Sequence, residues 1–221
     1  MHKKYEFQDW GQIDYQEAWI KQQTLFDAAV ASKLNADLAQ NTLVFCEHPH
    51  VITIGKSGNR DNLLFDAEAQ VAKGISFYEI DRGGDVTYHG PGQIVGYPIF
   101  DLDQFHLGLK QYISLLEEAI IQLLALYGLK GERLDSATGV WLDLETNRAR
   151  KICAIGVRSS RYITMHGFAL NVNTDLSYFS LIHPCGFVDK GVTSMQQELG
   201  VIIDNDVVKL QLKGILSNLF E

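Results

Sequence analysis

The sequence predicts an α+β fold of mixed β-sheets flanked by helices, with the helices on one side. Three observations lead to this prediction. Long segments with apolar residues at helical spacing alternate with groups of short β-rich runs. The resulting order of helix, strands, helix, strands, helix lacks the strand-helix alternation of a doubly wound sheet. A length of 221 residues suits one domain with a sizeable core, so a single domain over 1–221 is expected.

Three segments carry the helical pattern. Residues 15–38 place apolar side chains at helical spacing without an internal proline or glycine, which predicts a long amphipathic helix. Residues 109–127 predict a second helix, because apolar side chains share one face and Gly128 follows as a stop signal. Residues 204–220 predict a third amphipathic helix.

The predicted strands are short and apolar. They are expected at residues 42–46, 51–54, 76–80, 94–100, 139–142, 152–157 and 162–172. Residues 128–136 are predicted to be a flexible connection between a larger and a smaller part of the domain.

The composition is that of an ordinary globular protein, with 46% apolar and 21% charged residues. A formal net charge of -8 discourages binding to nucleic acid or anionic membranes, because both repel an acidic surface. No apolar stretch approaches the roughly 20 residues of a membrane span, and residues 1–9 lack the apolar run of a secretory signal. The three cysteines form no CxxC pair, so reduced thiols and a cytoplasmic location are expected.

One segment departs from the acidic balance. Residues 147–161 contain no Asp or Glu and carry five cations: Arg148, Arg150, Lys151, Arg158 and Arg161. A local basic face would suit an acidic protein partner or a ligand phosphate. The alternative is a solvent-exposed strand edge, where the cations prevent pairing with another strand.

The densest chemical signal is segment 81–93, DRGGDVTYHGPGQ, which lies between strand-like runs. Its four glycines allow backbone N–H groups to approach a ligand closely, and Arg82 offers paired donors to a phosphate or carbonyl. His89 lies in the same segment, where it could orient an acyl carbonyl or take part in proton transfer. A loop required only by strand geometry is the alternative.

Two nucleotide-binding motifs and a metal site are not expected. Segment 81–93 is not the G-x-G-x-x-G opening of a helix, because the run that follows is strand-like and contains Pro98. The GKS at 55–57 resembles the end of a P-loop, but His50 stands where the first glycine should be. His48 and His50 form an H-x-H pair without a third ligand nearby, so we expect no metal.

The second chemical signal is Cys185, which stands between a rigid proline and a permissive glycine. A thiol in such a loop becomes a useful nucleophile when a nearby cation favours the thiolate. Lys151 is the candidate cation, because it heads an apolar strand and a partly desolvated lysine can trade protons with a thiol. A surface lysine at a strand edge is the alternative. Cys46 and Cys153 lie in apolar runs and are predicted to be small buried hydrophobic residues.

Several stretches repeat the signatures of a known family nearly from end to end. They are EHP at 47–49 leading to TIG at 53–55, RGGDVTYHGPGQ at 82–93, KICAIG at 151–156, GFALNVN at 167–173 and PCG at 184–186. On these stretches the chain resembles the lipoyl(octanoyl) transferase family. The resemblance implies a fold shared with biotin and lipoate protein ligases.

The resemblance also implies an activity. Such enzymes transfer an octanoyl group from octanoyl-acyl carrier protein to the lysine of lipoyl domains, such as the glycine-cleavage H protein and the E2 subunits of 2-oxoacid dehydrogenases. No ATP, metal or other cofactor is expected. Two alternatives stay open: an ATP-dependent lipoate or biotin ligase of the same fold, and a non-catalytic module that binds carrier protein.

The resemblance assigns roles to individual residues. The cysteine that matches Cys185 carries the acyl thioester, and the lysine that matches Lys151 lowers the pKa of that cysteine. The implied substrate-binding residues are Arg82, Gly83, Gly84, Asp85, Val86, Thr87, Tyr88, His89, Ala154, Ile155, Gly156, Gly167, Phe168 and Ala169.

Overall fold

Two β-sheets and five helices organise the chain in the computed structural model, which describes residues 4–135, 137–183 and 191–220. The helices are α1 Tyr15–Leu34, α2 Ala67–Ala72, α3 Leu109–Leu126, α4 Met195–Leu199 and α5 Asn205–Leu219. The strands are β1 Glu6–Gln12, β2 Thr42–Glu47, β3 Val51–Ile54, β4 Ser76–Glu79, β5 Val86–His89, β6 Gln93–Ile99, β7 Glu132–Leu134, β8 Ala137–Leu142, β9 Arg150–Ser160, β10 Ile163–Asn171 and β11 Gly191–Val192. Three short 3-10 segments are Arg60–Asn62, Leu102–Phe105 and Leu176–Leu181.

The larger sheet has the strand order β1-β2-β6-β10-β9-β8-β7, with β11 paired to β9. Its β1–β2 and β9–β11 pairs are parallel and its other pairs are antiparallel, so the sheet is mixed. In its centre Gly167 stands opposite Gly156, and Phe168 stands opposite Gly96. A Cβ at position 156 would lie 2.8 Å from the Gly83 carbonyl oxygen, so glycine here lets a loop approach the sheet.

Helices cover both faces of the larger sheet, which corrects the prediction that they lie on one side. Side chains alternate along β2: Leu43 and Phe45 pack with the core beneath α3 and α5. On the other face, Val44 and Cys46 belong to a separate cluster that contains Ala18 of α1. Both faces of this strand are buried, and a purely apolar run cannot indicate which helix covers which face.

The smaller sheet has the order β4-β3-β5, with β3 parallel to β4 and antiparallel to β5. Its strand β5 comes from segment 81–93, so that segment is not one continuous loop. Residues 81–85 and 90–92 form the turns on either side of β5.

The other predicted elements are present, with boundary differences that have local causes. Helix α1 ends at Leu34 because Ala36 adopts a left-handed conformation with φ of 60°, which an α-helix cannot continue. Strand β1 was not predicted, because its half-exposed polar sequence lacks a clear alternation. Strand β7 at Glu132–Leu134 pairs with β8 in the larger sheet, so the middle of the predicted connection 128–136 is part of that sheet.

Candidate functional site

A cavity of about 580 Å³ lies between segment 81–93, which we call the glycine-rich segment, the centre of the larger sheet and helices α1 and α3. Lys151 lines this cavity together with thirteen of the predicted binding residues. These are Arg82, Gly83, Gly84, Asp85, Val86, Thr87, His89, Ala154, Ile155, Gly156, Gly167, Phe168 and Ala169. The three stretches that contain them are distant in sequence and meet because β9 and β10 are adjacent and the glycine-rich segment packs on β9.

Tyr88 is the predicted binding residue that does not line the cavity. It is completely buried, and its hydroxyl lies 2.8 Å from Nδ1 of His50. Its ring stacks on Tyr178, with centroids 5.0 Å apart and an interplanar angle of 6°. Tyr88 therefore anchors the 3-10 segment Leu176–Leu181 against the smaller sheet.

The Arg82 side chain braces the glycine-rich segment from within. Its Nη2 donates to both the carbonyl oxygen and Oγ1 of Thr53, at 2.9 Å each, and its Nη1 donates to the Gly83 carbonyl at 3.0 Å. The backbone N–H of Gly83 also donates to the Val157 carbonyl at 3.0 Å. These bonds hold the segment on β3 and β9, so these donors stabilise the cavity wall instead of facing a ligand phosphate.

The GKS run at 55–57 does not form a phosphate cradle. The backbone N–H groups of Gly55, Lys56 and Ser57 donate to carbonyls of residues 82–85 at 3.2, 3.0 and 3.3 Å. In a P-loop such N–H groups face the phosphates. The structure therefore confirms that these residues are not the end of a P-loop.

Lys151 is buried, at 9% exposure, which rules out the alternative of a surface lysine at a strand edge. Its Nζ lies 4.6 Å from the centre of the Trp141 ring, where the negative face of the indole attracts a cation. Gly139, with φ of +124°, passes beside the lysine stem: a Cβ there would lie 3.5 Å from Lys151 Cε. Glu117 holds this glycine by accepting its N–H at 3.0 Å.

Cys185 and the rest of residues 184–190 lie outside the described residues. The chain returns to the described structure at β11, where Val192 is in register with Lys151. Thr193 then donates its N–H to the Lys151 carbonyl at 2.9 Å. The segment that contains Cys185 therefore rejoins the sheet on the strand next to Lys151.

The two cysteines within the described residues confirm their prediction as buried hydrophobic residues. Cys46 and Cys153 are free thiols and are both completely buried. Burial raises the pKa of each thiol well above its ordinary range, because the thiolate would be desolvated. Neither is suited to nucleophilic chemistry at neutral pH.

The histidines of the H-x-H pair have structural partners. Nδ1 of His48 lies 2.8 Å from the Ile13 carbonyl oxygen, and Nε2 lies 2.7 Å from the Tyr97 hydroxyl. His50 lies outside the cavity, stacked on Tyr178 with centroids 4.1 Å apart. Within residues 4–135, 137–183 and 191–220, no group of three His, Cys, Asp or Glu side chains could hold a metal ion. No helix in the same ranges is long and apolar enough to cross a membrane.

Buried histidines make the stability of the protein depend on pH. Burial lowers the pKa of His48 to about 4 and that of His89 to about 3. An unfolded histidine has a pKa of about 6.5. The stabilisation is therefore fully present above about pH 6.5 and is lost as the pH falls, because the unfolded chain takes up protons that the folded chain does not.

We expect the free energy of unfolding to fall by up to about 1.4 kcal/mol per pH unit for each of these histidines between about pH 6.5 and 4. Urea unfolding at pH 7, 6 and 5 measures this slope. His89→Asn removes one titrating ring and should reduce the slope. A free energy of unfolding that does not change over this range would contradict the assignment of both rings as neutral.

The cations of segment 147–161 do not form one basic face, which corrects that interpretation. Arg150 is paired with Glu198 at 2.5 Å, and Arg158 is paired with Asp81. Lys151 is buried in the cavity wall. Residues distant in sequence supply these carboxylates, so the local charge count did not indicate the pairing.

The comparisons with known proteins agree with this architecture. The chain matches the family model of the lipoyl protein ligase A/B catalytic domain over residues 14–216. It is 61% identical over 204 residues to an octanoyltransferase of Bacteroides fragilis, which covers 92% of each chain. It is 58% identical over 219 residues to an octanoyltransferase of Parabacteroides distasonis, which covers 99% of each chain. The chain belongs to the lipoyl protein ligase A/B catalytic domain family. Its identity of 58–61% to octanoyltransferases over nearly the whole chain shows that it is an acyltransferase.

Solved structures confirm the predicted biotin/lipoate-protein-ligase-like fold. A bipartite lipoate protein ligase from Thermoplasma acidophilum has a TM-score of 0.71 at 16% identity, covering 99% of this chain and 84% of that one. A biotin protein ligase from Aquifex aeolicus has a TM-score of 0.56 at 14% identity, covering 97% of this chain and 70% of that one.

The residues that line the cavity of this lipoyl protein ligase A/B family member and were not predicted as site residues include four with polar side chains: Tyr15, Gln93, His166 and Asn171. Tyr15 of α1 stacks on His89, with centroids 5.9 Å apart. His166 lies 3.0 Å from Asp81, and its φ of +61° is unusual for a histidine in a strand. Gln93 and Asn171 complete the set. The last two lie in the quoted signatures at 82–93 and 167–173, which was the available signal, whereas nothing in the sequence connects Tyr15 with His89.

Proposed function

We propose that this acyltransferase takes an octanoyl group from octanoyl-acyl carrier protein onto Cys185 as a thioester and passes it to a lysine of a lipoyl domain. The observation that carries this proposal is the burial of Lys151 in the cavity wall, beside the strand to which the chain returns after Cys185. The high identity to octanoyltransferases supports the octanoyl group as the cargo.

The first half-reaction exchanges one thioester for another. The Cys185 thiolate attacks the carbonyl carbon of the carrier-bound acyl group, the new C–S bond forms and the C–S bond to the carrier breaks. Lys151 in its ammonium form protonates the departing thiolate of the carrier. Backbone N–H groups near the glycine-rich segment stabilise the oxyanion. Because bonds of the same type form and break, this step is readily reversible.

The second half-reaction makes an amide. The amine of the acceptor lysine attacks the Cys185 thioester, the N–C bond forms and the bond to the Cys185 sulfur breaks. An amide is more stable than a thioester, so this step drives the overall transfer forward.

The size and the apolar lining of the cavity suit an acyl ligand. Its volume of about 580 Å³ lies in the range of about 300–1,000 Å³ that is usual for small-molecule pockets. Apolar side chains from three elements line it, including Val95 of β6, Ile113 of α3 and Phe168 of β10. These side chains suit a medium-length hydrocarbon chain, which gains from leaving water.

Carrier protein and lipoyl domains are the proposed partners. The related Thermoplasma acidophilum ligase is described together with its E2 lipoyl domain, which supports a lipoyl domain as the acceptor here, whether in an E2 subunit or in the H protein. In the described residues, only Arg148 and Arg161 of the basic segment are exposed without an ion pair, and they lie beyond opposite ends of β9, roughly 30 Å of strand apart. These two cations therefore do not form one basic face for an acidic partner. The proposed compartment is the cytoplasm, where the buried thiols of Cys46 and Cys153 stay reduced.

The source of the acyl group distinguishes this proposal from an ATP-dependent ligase of the same fold. Purified protein and a lipoyl domain are incubated either with octanoyl-acyl carrier protein without nucleotide, or with free octanoate, ATP and magnesium. We expect octanoylation of the lipoyl domain only in the first mixture. Octanoylation only in the second mixture would establish the ligase instead, and tight binding of carrier protein without turnover in either would indicate a binding module.

A further inference from the structure

A chain of buried hydrogen bonds runs from the cavity wall toward β11. Nδ1 of His89 lies 2.8 Å from Oε1 of Gln93. Nε2 of Gln93 donates to Oδ1 of Asn171 at 2.9 Å and to the Tyr88 carbonyl at 3.2 Å. Nδ2 of Asn171 donates to the Thr193 carbonyl at 2.9 Å. These hydrogen bonds connect a residue that lines the cavity with Thr193, which directly follows β11 beside Lys151.

Two backbone carbonyls determine how both amides are oriented. A carbonyl oxygen only accepts hydrogen bonds, so the atom that faces Tyr88 is the Gln93 nitrogen, and the atom that faces Thr193 is the Asn171 nitrogen. The Gln93 oxygen therefore faces His89. This oxygen also only accepts, so Nδ1 of His89 carries a hydrogen.

The other ring nitrogen of His89 presents a lone pair to the cavity. Burial lowers the pKa of His89 to about 3, so the imidazole is neutral at physiological pH and its Nε2 carries no hydrogen. Nε2 has no hydrogen-bond partner among the described residues, and the ring lines the cavity. Tyr15 stacks on the ring with an interplanar angle of 13°, and His48 contacts it with centroids 6.0 Å apart. These neighbours hold the ring in place.

We propose that Nε2 of His89 accepts a hydrogen bond from the amine of the acceptor lysine and orients that amine toward the thioester carbonyl. This inference rests on the acyl-enzyme route proposed above. The first half-reaction presents a carbonyl oxygen and a departing sulfur, and both need a hydrogen-bond donor. The amine of the second half-reaction carries N–H bonds and needs an acceptor, which Nε2 supplies.

His89 is not the final destination of a proton in this step. The amine loses one proton when the N–C bond forms, and the Cys185 thiolate that leaves takes up one proton. Cys185 therefore returns to its thiol form, and the imidazole ends as it began. The role of the imidazole is to orient the amine.

Measuring the two half-reactions separately tests this role. In His89→Phe a ring of similar size replaces the acceptor nitrogen. We expect transfer from the acyl-enzyme to the lipoyl domain to be slowed about 10–100-fold more than acyl-enzyme formation from octanoyl-acyl carrier protein. Acyl-enzyme formation by the variant also shows that it is folded.

The outcomes distinguish the two proposals. If the wild-type protein forms no acyl-enzyme, the route through Cys185 fails. If the acyl-enzyme forms and His89→Phe leaves the transfer unchanged, or slows acyl-enzyme formation as much as the transfer, the role assigned to His89 is wrong.

The hydrogen position can be tested without an activity assay. Nitrogen chemical shifts of isotopically labelled histidine, with His89 assigned by comparison with His89→Phe, should show a protonated Nδ1 and an unprotonated Nε2 at neutral pH. In Gln93→Leu this preference should weaken, because the acceptor that holds the hydrogen on Nδ1 is removed. A proton on Nε2 in the wild-type protein would overturn the proposal.

Discussion

Cys185→Ala is expected to lose octanoyl transfer to a lipoyl domain by about 10⁴-fold or more, because removing the nucleophile removes the covalent route. The variant should retain its fold and its affinity for carrier protein, since the substitution removes one sulfur atom from a side chain. A discontinuous assay that follows octanoylation of the lipoyl domain by mass spectrometry measures the loss.

Cys153→Ala is the matched control for this prediction. The Cys153 thiol is completely buried in the core and burial raises its pKa, so the same substitution there should cost some stability and retain transfer. Loss of transfer in Cys153→Ala but not in Cys185→Ala would contradict the assignment of the nucleophile.

Lys151→Met is expected to slow transfer by about 10²–10³-fold, because the variant retains the length of the side chain but neither favours the thiolate nor supplies a proton. Lys151→Arg separates these two contributions. Arginine retains the positive charge but does not release a proton near neutral pH. The rate at which iodoacetamide alkylates Cys185 should therefore fall in Lys151→Met and persist in Lys151→Arg, while transfer falls in both.

The Trp141 ring beside Lys151 provides a check on stability. The ring lies 4.6 Å from the lysine Nζ, so Lys151→Met loses the cation–π contact and should be destabilised to some extent. Urea unfolding must therefore accompany the kinetics of both variants. Full transfer activity in a folded Lys151→Arg variant would mean that Lys151 acts only through its charge.

The sequence predicted most elements of the fold, because the buried strands and amphipathic helices have clear periodicity. Helix α3 and strand β3 match their predicted positions within one residue. Strand β1 was missed because half-exposed edge strands carry little periodicity. The placement of helices on both faces was also missed, since an apolar strand buried on two sides does not distinguish between them.

The sequence predicted those parts of the candidate site that lie in local motifs. The glycine-rich segment, the start of β9 and the middle of β10 were identified separately, and the structure brings them to one cavity. The sequence did not indicate that Tyr88 packs away from the cavity, because its stacking partner Tyr178 is distant in the chain. The sequence also could not predict which ring nitrogen of His89 carries the hydrogen, because this depends on two backbone carbonyls, one of which belongs to Thr193.

The central claim is that Cys185 holds the acyl group between two protein carriers. The most direct test is to mix the protein with octanoyl-acyl carrier protein, without acceptor, and to measure its intact mass followed by peptide mapping. We predict a mass increase of one octanoyl group on the peptide that contains Cys185, which disappears when a lipoyl domain is added. A protein that octanoylates the lipoyl domain rapidly while no octanoyl group is ever found on Cys185 would contradict the account.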